Sequence, residues 1–322
     1  MTVAIITGVE GQDGTWLAEH LLKNNCKVIG VTRRKSNSAT PCKNLSKAQT
    51  YSNFKLEYGD ITDHGFISNL IQWYRPERYF NLAAMSHVGH SFKEPLATFN
   101  VNAQAVVSVL ESIRQLSPNT KFYQASTSEL YGTTPCPESG YLEDSPFHPR
   151  SPYGVAKLAA FHAVVNYREA YGIFACNGIL HNHSSTRRGF DFATRKITRG
   201  VANIVKGNQE NLKMGNMEAF RDEGHAKDYV EAMDLILNQK TPEDFVVATG
   251  DGATIKEMLE YVCKLADLKY DDVYEMNPKF MRPSDIPYLK GNPAKIKALG
   301  WKPKYTWQTL LKEMYSYDLG KS

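Results

Sequence analysis

Seven residues near the start of the chain, Gly8-Val9-Glu10-Gly11-Gln12-Asp13-Gly14, leave few folds open. They lie between a β-branched run, Val3–Thr7, and a helical pattern over 14–24. Glycines at this spacing permit a tight turn, close approach of backbone to a pyrophosphate, and close packing of the helix on the strand. The strand–helix unit then repeats along the chain. Strands read at 27–31, 54–58, 79–82, 121–125 and 174–180, with helices at 66–74, 101–114 and 151–171. Parallel strands need crossovers, and helical crossovers cover both sheet faces. The expected fold is α/β: a Rossmann-type doubly wound parallel sheet.

After Leu180 the pattern loosens. Two stretches, 181–189 and 213–225, are polar and basic without a clear period, and helical patterns return at 228–238, 255–266 and near 307–315. The expected division is an NADP-binding domain over 1–180 and a smaller C-terminal, mainly substrate-binding lobe over 181–322. The boundary is soft, and segments are free to cross it.

Composition narrows the function classes. With 42% apolar and 22% charged residues in 322, the chain is neither disordered nor collagen-like. The balance of 38 basic to 34 acidic residues, net +4, suits anionic ligands better than a surface that coats nucleic acid. The five cysteines are scattered and form no CxxC pair, so free thiols are expected and a metal site is not. No run of ~18 apolar residues and no secretory start is present, so we expect a cytoplasmic protein with no membrane and no nucleic-acid partner.

An NAD site usually carries Asp or Glu after the second strand for the ribose 2′-hydroxyl. Here the chain reads Val31-Thr32-Arg33-Arg34-Lys35. Cations in that place match a 2′-phosphate, so the expected cofactor is NADP, with Gly8, Gly11, Gln12, Asp13, Gly14 and Arg33 holding it. Asp60 and Ile61 are placed to bracket an adenine. Leu82, Ala83 and Ala84 are small or apolar residues that let a cofactor lie near the sheet, and Ser86 is grouped with them.

Tyr153 and Lys157 stand at i and i+4 on one helix face. A nearby ammonium favours phenolate over phenol and prepares the tyrosine as a base. The same spacing recurs at Tyr51/Lys55 and Tyr317/Lys321, which read as surface pairs. Thr127 and Glu129 follow the fifth strand, where parallel sheets bind ligands. There the hydroxyl can hydrogen-bond a sugar oxygen and the carboxylate can take a proton from carbon.

With these blocks together, the chain resembles the GDP-mannose 4,6-dehydratase family of the extended short-chain dehydrogenase/reductases. The likeness runs through the glycine run, Arg33-Arg34, 123–132, 150–157, 166–171, 177–189, 194–196 and 221–233. It implies a lyase that turns GDP-D-mannose into GDP-4-keto-6-deoxy-D-mannose and water. The steps would be oxidation at C4, elimination across C5 and C6, and reduction at C6, with NADP restored each cycle. Tyr153 would take the C4 hydroxyl proton, Thr127 would bind the C4 oxygen, Glu129 would serve C5 and C6, and Lys157 would hold the ribose. Glu129 is the discriminator, because an epimerase or simple reductase on this fold has no need of it.

The resemblance also assigns Asn182, Lys196, Arg221 and Arg282 to the GDP-sugar, and His183 and Arg188 to NADP. It implies a homo-oligomer, tetramer or dimer, in which the loop Arg33-Arg34-Lys35-Ser36-Asn37-Ser38 reaches a neighbouring cofactor. Two alternatives stay open at this point. One is a bifunctional enzyme that also reduces the 4-keto product with NADPH to GDP-D-rhamnose. The other is a non-catalytic NADP-binding regulator.

Overall fold

The computed structural model describes residues 1–34, 42–281 and 284–320. In chain order come β1 (Val3–Thr7), α1 (Gln12–Lys23), β2 (Lys27–Thr32), β3 (Phe54–Tyr58), α2 (His64–Tyr74), β4 (Arg78–Asn81), α3 (Val88–Ser91), α4 (Pro95–Phe99) and α5 (Ala105–Leu116). These lead to β5 (Lys121–Thr127), α6 (Pro152–Tyr171), β6 (Ala175–Leu180) and β7 (Asn182–Ser184). Next are α7 (Ala193–Val205), β8 (Leu212–Met214), β9 (Phe220–His225), α8 (Ala226–Leu237), β10 (Phe245–Val247) and β11 (Gly252–Thr254). The chain closes with α9 (Ile255–Leu265), α10 (Tyr270–Val273), β12 (Tyr274–Met276), β13 (Tyr288–Leu289), α11 (Ala294–Ala298) and α12 (Trp307–Leu319).

Two compact units result. The first comprises Met1–Thr134, Glu143–Leu180 and Val230–Phe245; the second comprises Pro135–Leu142, His181–Tyr229 and Val246–Ser322. The division falls within α8 and β10.

In the first unit, β1 pairs in parallel with β2 and β4, and β2–β3, β4–β5 and β5–β6 continue the same sense. The sheet order is β10-β6-β5-β4-β1-β2-β3. Chain direction through the sheet reverses between β1 and β4, and ligands of such sheets bind beyond the carboxyl ends of the strands at that point. The strands are short apolar runs because both faces are covered. Ile5, Ile29, Tyr79 and Phe122 share a core with Ile67 and Leu70 of α2, Val109 and Ile113 of α5, and Val164 of α6.

Local stops agree with the pattern. Pro152 opens α6, Ser151 caps it by accepting from the Gly154 N–H at 3.0 Å, and Gly172 ends it at φ +67°. One expectation shifts. The helix read over 101–114 begins as α5 only at Ala105, preceded by a π-helical turn over Asn100–Gln104. The buried Asn102 side chain explains the local need: it accepts from the Met85 N–H at 2.8 Å and donates to the Met85 carbonyl at 3.0 Å.

The second unit has a sheet ordered β11-β9-β13, with β7 also paired to β9, and a small parallel pair, β8 and β12. Its core joins Ile197 and Val201 of α7, Leu259 and Val262 of α9, and Leu311 and Tyr315 of α12. Strands β7 and β9 lie where the sequence shows no usable strand period. Strand β9 reads Phe-Arg-Asp-Glu-Gly-His and is buried from its second residue onward. Among the described residues, no helix is long and apolar enough to cross a membrane.

Candidate active site

The glycine turn joins β1 to α1. Gly8 adopts φ +69°, and a Cβ there would sit 2.8 Å from Ala83 Cα. A Cβ on Gly14 would sit 2.4 Å from the Gly8 carbonyl oxygen and 2.6 Å from Val9 Cα. The Gly11 N–H donates to the Gly8 carbonyl at 2.9 Å. Gly11 is also the N-cap of α1 and brings no capping side chain, an arrangement that suits an anion at the helix N-terminus. Behind the turn, Gln12 donates to Asp13 at 3.1 Å.

The carboxyl ends of the central strands are tied by buried polar groups that the sequence reading missed. Thr7 Oγ1 donates to Asn81 Oδ1 at 2.7 Å, and Asn81 Nδ2 donates to Gln124 Oε1 at 2.9 Å. Leu82, Ala83 and Ala84 follow β4 half-buried, and Ser86 is exposed. Arg33 and Arg34, past the end of β2, line a cavity of ≈ 350 Å³ with Tyr58, Gly59 and Asp60. Asp60 Oδ1 accepts from the Thr62 N–H at 2.9 Å and the Thr62 hydroxyl at 2.8 Å, while Ile61 is buried in the apolar core. Lys35, Ser36, Asn37 and Ser38 lie outside the described residues.

Strand β5 and the first turns of α6 bring the proposed catalytic groups together. Lys157 is 3% exposed, donates to the Ala125 carbonyl at 2.8 Å, and lies 5.9 Å from the centre of the Tyr153 ring. Burial lowers its pKa to about 8. Thr127 Oγ1 accepts from the Glu129 N–H at 3.2 Å, which leaves its own O–H to donate elsewhere. A Cβ on Gly154 would lie 3.2 Å from the Glu129 carbonyl, so the short turn carrying Glu129 sits against the residue next to Tyr153. Of the two decoys, Lys55 is engaged on the surface with Tyr74 at 2.6 Å and Glu57 at 2.9 Å. Lys321 lies outside the described residues.

In the second unit, β7 lies parallel to β9, with Asn182 opposite Glu223 and His183 opposite Gly224. His183 Nδ1 is 2.7 Å from the His181 carbonyl, so that nitrogen carries a hydrogen and donates it. The His183 ring stacks on Tyr229 at 4.3 Å. The Arg188 guanidinium lies 3.9 Å from the centre of the Phe192 ring. Arg221 is buried, donating to the Phe220 carbonyl at 2.8 Å and pairing with Asp285 at 3.4 Å. Arg282 lies outside the described residues.

Lys196 lines a cavity of ≈ 550 Å³ shared with Phe190, Arg199, Asn211, Lys213 and Phe280. Lys196 Nζ is 4.3 Å from the Phe280 ring centre, and the Arg199 guanidinium is 3.8 Å from that of Phe190. Cations over exposed aromatic faces suit a ligand that is both planar and anionic. Arg199 and the aromatics went unseen in the sequence. The available clue was the apolar pair Ile197 and Val201, four apart, which predicts a helix and puts Arg199 one turn from Lys196.

Comparison with known proteins agrees with this arrangement. Residues 5–314 match the family described as GDP-mannose 4,6 dehydratase. The chain is 44% identical to a GDP-mannose 4,6-dehydratase of Vibrio cholerae, over 98% of this chain and 93% of that one. It is 42% identical to the GDP-mannose 4,6 dehydratase of Homo sapiens, over 98% and 91%. Among solved structures, a UDP-glucose 4-epimerase of Thermus thermophilus in complex with NAD is similar at TM-score 0.83 and 25% identity, covering 99% of each chain. A dTDP-glucose 4,6-dehydratase of Bacillus anthracis in complex with NAD is similar at TM-score 0.85 and 21% identity, covering 98% and 96%; it speaks for the fold alone. A doubly wound sheet, a glycine cradle, a Tyr–Lys pair beside Thr127 and Glu129, and this near-complete coverage lead to one conclusion: the chain belongs to the GDP-mannose 4,6-dehydratase family.

Proposed function

We propose that this enzyme converts GDP-D-mannose to GDP-4-keto-6-deoxy-D-mannose and water with a nicotinamide cofactor, specifically NADP. The observation that carries the reading is the buried Lys157 ammonium beside Tyr153, with Glu129 on the adjoining turn. The residues present suit the cofactor. Added Cβ atoms at Gly8 and Gly14 would strike backbone at 2.8 and 2.4 Å, so that turn is built to keep backbone close and open. The N-terminus of α1 would hold the pyrophosphate, Arg33 and Arg34 the 2′-phosphate, and Lys157 the ribose. When bound, the cofactor supplies reversible oxidation at C4 and reduction at C6.

Tyr153 takes the C4 hydroxyl proton, and the Lys157 cation favours the phenolate that does so. The Thr127 O–H donates to the C4 oxygen and steadies the ketone. That ketone acidifies the C5 hydrogen, which Glu129 removes. Glu129 then protonates the C6 hydroxyl, which leaves as water. As C6 is reduced, C5 takes up one proton, which balances the one that Tyr153 took from the C4 hydroxyl and must release. In the second unit, Lys196, Arg199 and Lys213 supply positive charge for the diphosphate, and Asn182 adds a polar contact. We infer a cytoplasmic homo-oligomer, dimer or tetramer, a state that light scattering on the purified protein measures directly.

The test is product analysis of purified protein given GDP-mannose, dTDP-glucose, UDP-glucose or CDP-glucose. The expected outcome is a 4-keto-6-deoxy product from GDP-mannose alone, with no net cofactor consumption. Turnover of another nucleotide sugar in its place overturns the substrate; stoichiometric NADPH loss overturns the closed redox cycle.

A further inference from the structure

In the second unit's cavity of ≈ 550 Å³, Glu210 is the single acid among the described lining residues. The other charged side chains there are the cations Lys196, Arg199 and Lys213. Lys213 pairs with Glu275 at 3.3 Å, whereas Lys196 and Arg199 form no ion pair among the described residues. The Glu210 side chain is exposed and has no hydrogen-bond or ion-pair partner among them either. It sits on the short link between α7 and β8, where Gln209 Nε2 donates to the Asn211 carbonyl and ties the backbone on either side. Phe190 and Phe280 line the same cavity and are 57% and 46% exposed, so aromatic faces stay open to a planar ligand.

Two parts of a nucleoside diphosphate make opposite demands on such a wall. The diphosphate is held by cations and repelled by a carboxylate, which accepts hydrogen bonds and cannot donate them. Glu210 therefore serves only a part of the ligand that offers neutral donors. Among the common bases guanine alone sets two donors side by side, N1–H and the N2 amino group. Their spacing matches the two oxygens of one carboxylate. The other bases would turn at least one acceptor towards that carboxylate and be repelled.

We propose that Glu210 reads the base of the substrate, accepting from N1–H and the N2 amino group of guanine. The proposal rests on the dehydratase reading and deepens it by naming a residue that sets nucleotide specificity.

Calorimetry of the parent protein, Glu210→Ala and Glu210→Gln with GDP, IDP and XDP tests it. IDP lacks the N2 amino group, and XDP carries a carbonyl oxygen in its place. The parent should bind GDP about 10-fold more tightly than IDP, and XDP most weakly of the three. In Glu210→Ala, GDP affinity should fall about 10-fold or more, and the preference over IDP should shrink to within about twofold. In Glu210→Gln the side-chain amide both accepts and donates, so XDP should gain about 10-fold relative to GDP. A merely structural or surface-charge role does not predict that reversal. Glu210 is exposed, so both variants should fold, which Tm verifies, and either one carries the comparison. A parent that does not distinguish GDP from IDP overturns the proposal without any variant. Equal weakening of GDP and IDP in Glu210→Ala places the carboxylate on a ribose hydroxyl and overturns the base reading. In both cases a 4-keto-6-deoxy product from GDP-mannose leaves the dehydratase reading intact. A parent protein that neither binds GDP nor turns over GDP-mannose overturns both.

Discussion

Strands β6 and β9 are each six residues long and buried along almost their whole length, yet their sequences have little in common. β6, Ala-Cys-Asn-Gly-Ile-Leu, lies in the first unit and needs little beyond sheet pairing. Its one amide side chain, Asn177, donates to Asp244, which accepts from the Asn177 N–H at 2.8 Å and from Nδ2 at 3.0 Å, while Asn177 Oδ1 has no partner among the described residues. β9 carries charge into the second unit, and each charge needs its own answer. Asp222 accepts from the Thr249 hydroxyl at 2.7 Å and from the Thr249 and Gly250 N–H groups at 2.9 Å. Arg221 is paired with Asp285, while Glu223 keeps an oxygen unmet among the described residues. An apolar strand is stabilised by any apolar neighbour, whereas a charged one is stable only where specific partners converge. Under the proposed function, the first unit would serve as the platform for chemistry and the second as the receptor for the substrate. Substitutions of the catalytic groups in the first should mainly alter rate, and those of its Arg33 or of cavity-lining cations in the second mainly affinity.

The largest expected effect tests the rate half of that division. Glu129→Gln should lower kcat by about 10³-fold, while KM for GDP-mannose moves no more than about threefold. A fast Glu129→Gln enzyme would remove this carboxylate from the proton path.

Lys157→Met separates stability from function inside the first unit. The folded pKa of Lys157, about 8, lies below the ordinary lysine value of 10.5. Below pH 8 the lysine is charged in both folded and unfolded chains, and burying that charge opposes folding in full. Between pH 8 and 10.5 the unfolded chain binds more protons, so parent stability rises with pH and the penalty fades. Lys157→Met should therefore be more stable than the parent at pH 7, by about 2 kcal/mol after the lost hydrogen bond is allowed for. The gap should close towards pH 10.5 as activity is lost throughout. Denaturant melts across pH check this, and a gap that widens above pH 8 contradicts it.

Smaller effects should fall on binding. Arg33→Ala should weaken NADPH by roughly 30-fold and leave NADH nearly unchanged, since a single 2′-phosphate separates them. Equal loss for both cofactors would mean that the cavity beside Tyr58 does not read that phosphate. Arg199→Ala should raise KM for GDP-mannose by about fivefold with kcat unchanged. Steady-state kinetics that show the reverse split would break the receptor description of the second unit.

Legibility follows the same contrast. β1 and β3 lie where the residues predict, and α6 starts and stops at Pro152 and Gly172. β7 and β9 do not show in advance, while α7 shows only in the spacing of Ile197 and Val201. A hydrophobic period reports apolar burial, and β9 is buried through hydrogen bonds and ion pairs that no period records. The candidate site divides likewise. Tyr153 and Lys157 are one helical turn apart, and Thr127 and Glu129 are two residues apart, so local spacing finds them. Phe280 and Lys196 are 84 positions apart in the numbering yet meet at 4.3 Å.

By itself the order of residues determined the doubly wound platform, the glycine turn and the Tyr–Lys pair. Those features depend on neighbours within a turn or two of chain, and the apolar effect that assembles them is non-directional. Tertiary structure alone decided which buried charges are paired, which cations face a shared cavity, and that one Glu223 oxygen has no hydrogen-bond partner among the described residues. Hydrogen bonds and ion pairs are directional and fall off over a few ångströms, so their outcome belongs to geometry among distant segments.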